Sequence, residues 1–203
     1  MRIWDVHPGY LSRQNLLGEH RELHGMVNIL KEGKTGYSRH PETLRWAGHV
    51  EALVFRHHLL AAEMRLRGYT DRTPLEPETQ DGTISWPETY IDSPWSQFAI
   101  LAGKYDGRTS GRLPLPADVG QFVRQHRLSL RTRGALAVDE AADPEEAAMT
   151  VTALMRTPPL PLLLDAALEE LRHSSFRSEE IGTALSDLAA WKEYHRVLTF
   201  TPL

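Results

Sequence analysis

The chain has 203 residues, 41% of them hydrophobic, and carries a formal net charge of −4. It contains no cysteine, which excludes disulfide bonds, thiolate metal ligands and a cysteine nucleophile. No apolar run approaches the ~18–20 residues that a membrane-spanning helix needs, and we expect no secretory signal at the start. The composition therefore indicates a cytoplasmic protein of one well-packed domain.

The charge is unevenly distributed along the chain. Residues 1–70 carry ten Lys and Arg against seven Asp and Glu, together with seven of the ten histidines. Residues 71–203 carry thirteen cationic residues against twenty acidic ones, although residues 104–133 form a second basic stretch. Because local fields rather than net charge govern binding to a polyanion, the acidic total does not exclude a nucleic-acid partner.

Helical spacing organises the first third of the chain. Ser12 is a candidate N-cap for a helix that runs to about Lys31 and ends at Gly33. The apolar stripe of this helix is predicted to face the core and consists of Leu16, His20, Leu23, Val27 and Leu30. Glu22 lies off that stripe, on the side of Glu19 and Met26, so its carboxylate can line a cleft.

A second long helix is predicted from about residue 41 to Arg67, with Gly68 as the residue that ends it. Its apolar face is predicted to include Leu44, Val50 and Leu53. Gly48 falls in its middle, so an interruption there is left open.

The rest of the chain is predicted to be irregular first and then helical. Four prolines and Asp81-Gly82 in residues 71–95 disfavour helix, while the aromatic side chains among them favour an ordered wrap. Helices are predicted at about residues 96–103, 117–131, 144–155, 160–172 and 178–197. The expected fold is therefore mainly α, a single domain with a core at residues 1–70, an irregular segment at 71–116 and a C-terminal helical extension at 117–203.

The N-terminus offers a reactive amine next to a cation and a carboxylate. An α-amino group has an unperturbed pKa of about 8, against about 10.4 for lysine, so it forms Schiff bases without deep burial. Arg2 would prevent removal of Met1, so the amine would belong to Met1. Glu22 is the carboxylate that would stabilise a cationic sugar and shuttle protons. These features permit amine attack on a sugar carbon of DNA.

Several short motifs follow one another along the first seventy residues: Arg2-Ile3, Gln14-Asn15-Leu16, Arg21-Glu22-Leu23, Gly33-Lys34, Ala47-Gly48-His49-Val50 and Arg67-Gly68-Tyr69. No single tripeptide is specific, but the ordered set resembles the pyrimidine-dimer DNA glycosylases of the phage endonuclease V type. The resemblance implies a compact helical fold and a bifunctional enzyme, a glycosylase and abasic-site lyase that uses no cofactor.

The resemblance also implies roles for individual residues. The nucleophilic amine maps to Met1 and the essential carboxylate to Glu22, while DNA contacts map to Arg2, Gln14 and Arg21. Two departures stand out. The phage enzyme exposes a threonine amine, whereas this amine would carry a bulky Met side chain, and a further family arginine is replaced by Gly25 or Met26.

Other polar residues extend the predicted DNA surface. Lys34, Arg39 and Arg45 flank the site in sequence and are predicted to follow the phosphate backbone. His49 is predicted to be a structural or DNA-contacting residue of the cleft. Beyond the resemblance, a second DNA-contacting loop is predicted to include Lys104, Arg108 and Arg112.

The histidines raise the question of a metal. His20 and His24 are spaced four apart on one helix, as some metal-ligand pairs are, and His57-His58 lie on another predicted helix. The zinc-protease signature places Glu directly after the first His, which this chain does not, and no third ligand is evident from the sequence. We therefore predict no metal, and we expect these histidines to pack or to form hydrogen bonds.

Two alternatives to the glycosylase remain open. A non-catalytic helical DNA-binding or protein-interaction module would bind with a steep salt dependence and would not nick DNA. A histidine-site metal hydrolase would lose activity to a chelator. The favoured interpretation is a monomeric enzyme on damaged double-stranded DNA, bound to the nucleoid and away from membranes, with a pyrimidine dimer as the favoured lesion.

Overall fold

The computed structural model describes residues 1–78, 84–105, 107, 109–135, 138–140, 142–173 and 179–200, without the side chains of 198–200. Within these ranges the chain forms helices and no strand, which confirms the predicted mainly α fold. The α-helices are α1 (Arg13–Glu32), α2 (Pro41–Arg45), α3 (Val50–Leu66), α4 (Pro94–Tyr105), α5 (Val119–Arg131), α6 (Pro144–Met155), α7 (Pro161–His173) and α8 (Ala184–Phe200). None of the described helices is long and apolar enough to cross a membrane.

Helix α1 begins and ends where its capping residues predict. The Ser12 hydroxyl accepts a hydrogen bond from the Asn15 amide, and Gly33 adopts a left-handed φ of 65° after the last turn. Such caps satisfy backbone groups that the helix itself leaves unpaired. The buried face is wider than the predicted stripe, because Glu19 and Met26 are buried together with Leu16 and Leu23.

The predicted second helix is two helices. Gly48, at a φ of 84°, separates α2 from α3, a conformation that residues with a Cβ rarely adopt. The break changes which side chains face inward, and it overturns the expectation for Leu44, which is 60% exposed. Helix α2 instead buries Glu42, Thr43 and Arg45.

Helix α3 lies at the centre of the molecule. It packs against α1 and against α8, and its residues from Ala52 to Met64 are buried. Helices α5, α6 and α7 begin and end within two residues of the predicted bounds. The last helix begins later than predicted, at Ala184, because a 3-10 turn at Glu179–Ile181 precedes it.

One hydrophobic core joins the two halves of the chain. Its buried members include Ile3, Trp46 and Leu60 from the N-terminal part and Phe98 and Phe122 from later helices. The described part of the irregular segment lies on this core. There, the partly buried Trp86 contacts Trp46 and Phe55 edge-on, and the Arg156 guanidinium lies 5.0 Å from the centres of the Trp86 and Tyr90 rings. The aromatic residues of this segment therefore attach it to the helices.

Candidate active site

The N-terminal segment is held by side chains that accept hydrogen bonds from its backbone. Four successive amides are bound in this way, Arg2 to Glu22 at 2.6 Å, Ile3 to Glu42 at 3.4 Å, Trp4 to Glu19 at 3.1 Å and Asp5 to Gln97 at 2.9 Å. The acceptors come from three different helices, α1, α2 and α4. Since the segment itself has no regular secondary structure, these bonds fix the position of the chain start.

The first of these bonds brings the α-amino group to Glu22. Covalent geometry keeps the Met1 nitrogen within ~4 Å of the Arg2 nitrogen, and hence within about 7 Å of the Glu22 carboxylate oxygen. The Met1 side chain is partly buried against the core, and its sulfur lies 3.6 Å from the Thr43 hydroxyl. The bulky Met1 side chain, which stands where the phage enzyme has a threonine, thus packs against the rest of the protein.

Two glutamates on α1 have different environments. Glu19 is 2% exposed, and Arg56 donates to both of its oxygens, at 2.8 and 3.0 Å. Glu22, one turn later, is half-buried and lines an open cleft. Glu19 is therefore part of a buried ion pair, whereas Glu22 remains accessible to a ligand.

The cleft beside Glu22 has a volume of about 620 Å³. Four cationic side chains line it, Arg2, Arg13, Arg21 and Lys104. Gln14 and Asn15 add amide groups, and Trp4 adds an aromatic surface. The cleft therefore combines cations suited to phosphate groups with one accessible carboxylate.

The cleft contains four of the predicted site residues and two cations that the resemblance did not supply. Arg2, Gln14, Arg21 and Glu22 lie in its wall. Arg13 donates a hydrogen bond to the Tyr69 hydroxyl at 2.9 Å. Its position next to Gln14 was the one feature of the sequence that could have indicated its place in the cleft. Lys104, predicted for a second loop, lies instead in the last turn of α4 and in the same cleft. Arg108 of that prediction lies outside the described residues.

Arg2 has partners of its own. Its guanidinium donates to Asp92 at 2.7 Å and lies 4.3 Å from the centre of the Trp4 ring. The side chains of this ion pair are 28% and 35% exposed. An acid from the irregular segment therefore already pairs with Arg2 at the edge of the cleft.

Three other predicted DNA contacts lie outside the lining of this cleft. Lys34 and Arg39 are exposed in the connection between α1 and α2, where Lys34 pairs with Glu32. His49 immediately precedes α3 without a capping hydrogen bond from its side chain, and its Nδ1 lies 3.1 Å from the Ser85 carbonyl oxygen. Contact of these residues with DNA remains a prediction.

Arg45 was predicted to follow the phosphate backbone, and the structure contradicts this. Its side chain is 3% exposed, and its guanidinium binds Asp5 at 3.0 Å and Glu42 at 2.6 Å. Arg45 therefore joins α2 to the N-terminal segment and is not available to a phosphate.

Arg112, which was predicted to contact DNA in a second loop, is likewise engaged within the protein. It binds both oxygens of the buried Glu63, at 2.9 and 2.8 Å, and the Gly182 carbonyl. It connects α3 to the turn before α8.

Histidines and an aspartate meet on the side of α1 away from Glu22. Residues two positions before and after Glu22 point about 160° away from it on a helix, and these are His20 and His24. Helix α3 contributes His57, and Asp71 follows that helix. Burial lowers the pKa of His57 to about 3 although Asp71 opposes the shift. The expectation that a third ligand is lacking is thereby corrected, because packing supplies two further candidates.

Comparison with known families bears directly on the Glu22 cleft. Residues 1–77 match the pyrimidine dimer DNA glycosylase family. The match covers α1, α2, α3 and the N-terminal segment, and so includes most of the cleft wall. The N-terminal part of this chain is therefore similar to that family of DNA glycosylases, and the match covers 77 of the 203 residues. Searches of curated proteins and of solved structures found no significant match.

The glycosylase match ends before several residues of the site. Gln97, which holds the Asp5 amide, and Asp92, which pairs with Arg2, come from later in the chain, as does Lys104. The part of the chain beyond the match thus contributes residues to the Glu22 cleft as well as to the hydrophobic core.

Proposed function

We propose that this protein excises a damaged base, with a pyrimidine dimer as the favoured lesion, from duplex DNA and then cleaves the strand as an abasic-site lyase. The Met1 amine is the nucleophile and Glu22 the essential carboxylate. The observation that carries the proposal is the 2.6 Å hydrogen bond from the Arg2 amide to Glu22, which ties the first peptide group to an accessible acid.

The proposed reaction begins at the sugar carbon C1′. The unprotonated amine attacks C1′, the glycosidic bond breaks, and its electron pair leaves with the base. A proton then moves from the Met1 nitrogen to the ring oxygen O4′, the C1′–O4′ bond breaks with its electron pair on O4′, and the nitrogen lone pair forms an iminium ion with C1′. Glu22 stabilises this cation because an anionic group lies beside the developing positive charge.

Strand cleavage follows from the iminium ion by β-elimination. A base removes a proton from C2′, the electrons form a C2′–C3′ double bond, and the 3′ phosphate departs. In this proposal Glu22 assists the proton transfer, a role that general acid–base groups perform with gains of about 10²–10⁴ in rate. Hydrolysis of the imine then returns the free amine.

The cationic residues of the cleft would position the duplex. Arg2, Arg13, Arg21 and Lys104 supply charges for phosphate groups, and Gln14 supplies an amide. Extrusion of a nucleotide costs a few kcal/mol and costs least where a lesion already disturbs stacking. We propose that the protein does this as a monomer without an organic cofactor, in the cytoplasm where it binds the nucleoid.

Borohydride trapping tests the proposal. Full-length protein, with its N-terminus verified by mass spectrometry, is incubated with dimer-containing duplex and sodium borohydride. We expect a covalent protein–DNA adduct whose cross-linked peptide begins at Met1. Undamaged duplex should give none, and protein acetylated at the α-amine should give none on the damaged duplex.

The same experiment separates the proposal from a DNA-binding module. Binding to the damaged duplex without an adduct and without nicking would favour the module. An adduct at a lysine would keep the lyase but remove Met1 from its role.

A further inference from the structure

The histidine cluster consists of His20 and His24 from α1, His57 from α3 and Asp71. One ligand atom from each lies within 4.8 Å of all the others. The three imidazole rings form a nearly equilateral triangle, with centroids 4.8 to 4.9 Å apart. Side chains far apart in the sequence thus converge on one point.

The spacing of these atoms matches the ligand shell of a zinc ion. Zinc–nitrogen and zinc–oxygen bonds of about 2.0–2.1 Å at tetrahedral angles place neighbouring ligand atoms roughly 3.3 Å apart. The Nε2 atoms of His20 and His57 are 3.1 Å apart, and each lies 3.4 Å from a different oxygen of Asp71. His24 has a ligand atom within 4.8 Å of those of the other three residues, and its Nε2 lies 3.1 Å from the Thr73 hydroxyl.

The cluster is also largely withdrawn from water, so the negative charge of Asp71 needs a partner within it. The side chains of His20, His57 and Asp71 are 13%, 2% and 10% exposed. Nδ1 of His57 has no hydrogen-bond partner among the described residues, so this ring directs its polar interactions through Nε2 into the cluster. Three imidazoles around one carboxylate form the nitrogen and oxygen donor set that suits zinc.

We propose that His20, His24, His57 and Asp71 bind one divalent transition-metal cation of the zinc class. With four protein ligands the site is closed, as structural zinc sites are. The ion would therefore not activate water. It would join α1 to α3 and to the start of the irregular segment.

This role would bear on the glycosylase site through helix α1. Glu22 lies between His20 and His24 in the sequence and on the other side of the helix, so a metal that fixes α1 would also fix the position of Glu22. The metal proposal itself does not depend on the glycosylase chemistry, because its test measures metal and not strand cleavage.

Metal content tests the proposal directly. Purified full-length protein is stripped with a chelator, equilibrated with zinc in a buffer that sets the free metal concentration, and analysed by elemental mass spectrometry. We expect one zinc per chain. Cobalt in place of zinc should give the intense visible absorption of a tetrahedral site.

Matched variants locate the ion. His24→Gln and Asp71→Asn each remove one ligand and should weaken zinc binding by roughly 100-fold or more, since removal of even an outer-shell partner costs 10–100-fold. His58→Gln, next to His57 but outside the cluster, and His173→Gln, on the surface of α7, should bind zinc as the unchanged protein does. Circular dichroism in chelator verifies that each variant is folded.

Two results would overturn the proposal. In the first, folded unchanged protein would retain less than a tenth of an equivalent of zinc at micromolar free metal. In the second, Asp71→Asn and His24→Gln would both bind zinc as tightly as the unchanged protein. The first result needs no variant, so it decides the question even if the ligand variants fail to fold.

Discussion

Helix α1 has two polar surfaces that differ in how far their charged groups are exposed to water. On one side, Glu22 and the exposed Arg21 line an open cleft. On the other, His20 and His24 meet His57 and Asp71 in a nearly closed cluster. Hydrated cations in a cleft remain available to phosphate groups, whereas polar groups removed from water need partners within the fold. The first arrangement suits a large external ligand and the second suits a small ion.

The same contrast holds between two acids on α1. Glu19 has its carboxylate satisfied by Arg56 and by the Trp4 amide. Glu22 accepts from the Arg2 amide and borders the cleft. A difference of one helical turn therefore separates an acid that stabilises the fold from an acid that we propose to be catalytic. Substitution of each tests this division.

The largest expected effect is that of Glu22→Gln on strand cleavage. The amide oxygen of Gln can still accept from the Arg2 amide, but the side chain can no longer stabilise a cation or take a proton. We expect nicking of dimer-containing duplex to fall by about 10³-fold, in keeping with the contribution of a general acid–base group. Single-turnover nicking, with binding measured separately, checks this. Normal nicking would exclude Glu22 from the chemistry.

Glu19→Gln should act on stability instead. It leaves the buried Arg56 without its charged partner, and breaking a buried ion pair in this way costs about 3–5 kcal/mol. We expect the free energy of unfolding in urea to fall by that amount, while Glu22→Gln, measured in parallel, changes it by less than about 1 kcal/mol, as is usual for a partly exposed site. Equal decreases in the two variants would contradict the division between the acids.

The next effect concerns the cations of the cleft. Arg21→Ala and Lys104→Ala should each weaken binding to duplex DNA, and each should reduce the slope of log affinity against log salt by about 0.9 for every phosphate that the side chain neutralises. Arg172→Ala, an exposed cation of α7, provides a control of equal charge change. Binding titrations at several salt concentrations measure the slopes. A control variant that lowers the slope as much would show that net charge, not the cleft, governs binding.

Short-range sequence patterns predicted the elements of this site well. Ser12 and Gly33 gave the bounds of α1, and the periodicity of its apolar residues left Glu22 off the core side, although it also left Glu19 and Met26 there, which are buried. These features depend on residues within one or two helical turns of each other, so the sequence contains the information directly. The resemblance added the roles of Met1 and Glu22, which remain proposals.

Long-range packing accounts for what the sequence did not predict. Arg45 resembled the other cations of the basic region, and only the approach of Asp5 reveals it as a buried structural residue. His57 and Asp71 reach His20 only because α3 packs against α1. In each case the deciding partner lies far along the chain, and helical periodicity within one element cannot identify such a partner.

The smallest expected effect concerns Arg2 in the cleft. Asp92→Asn removes the acid that pairs with this guanidinium and leaves Arg2 over the Trp4 ring. A partly exposed pair contributes at most about 1 kcal/mol, so affinity for duplex DNA should rise by no more than about fivefold. Binding titrations at low and high salt check this, because the gain should disappear as salt screens the charges.

A matched control separates this ion pair from a general charge effect. Glu88→Gln, at an exposed acid of the same segment, changes the net charge equally and should leave the affinity within about twofold, as expected for a distant, screened surface charge. If Asp92→Asn binds DNA more weakly than the unchanged protein, the ion pair holds Arg2 in its binding position and does not compete with phosphate. The irregular segment would then be part of the DNA-binding surface, because it would orient the first cation of the cleft.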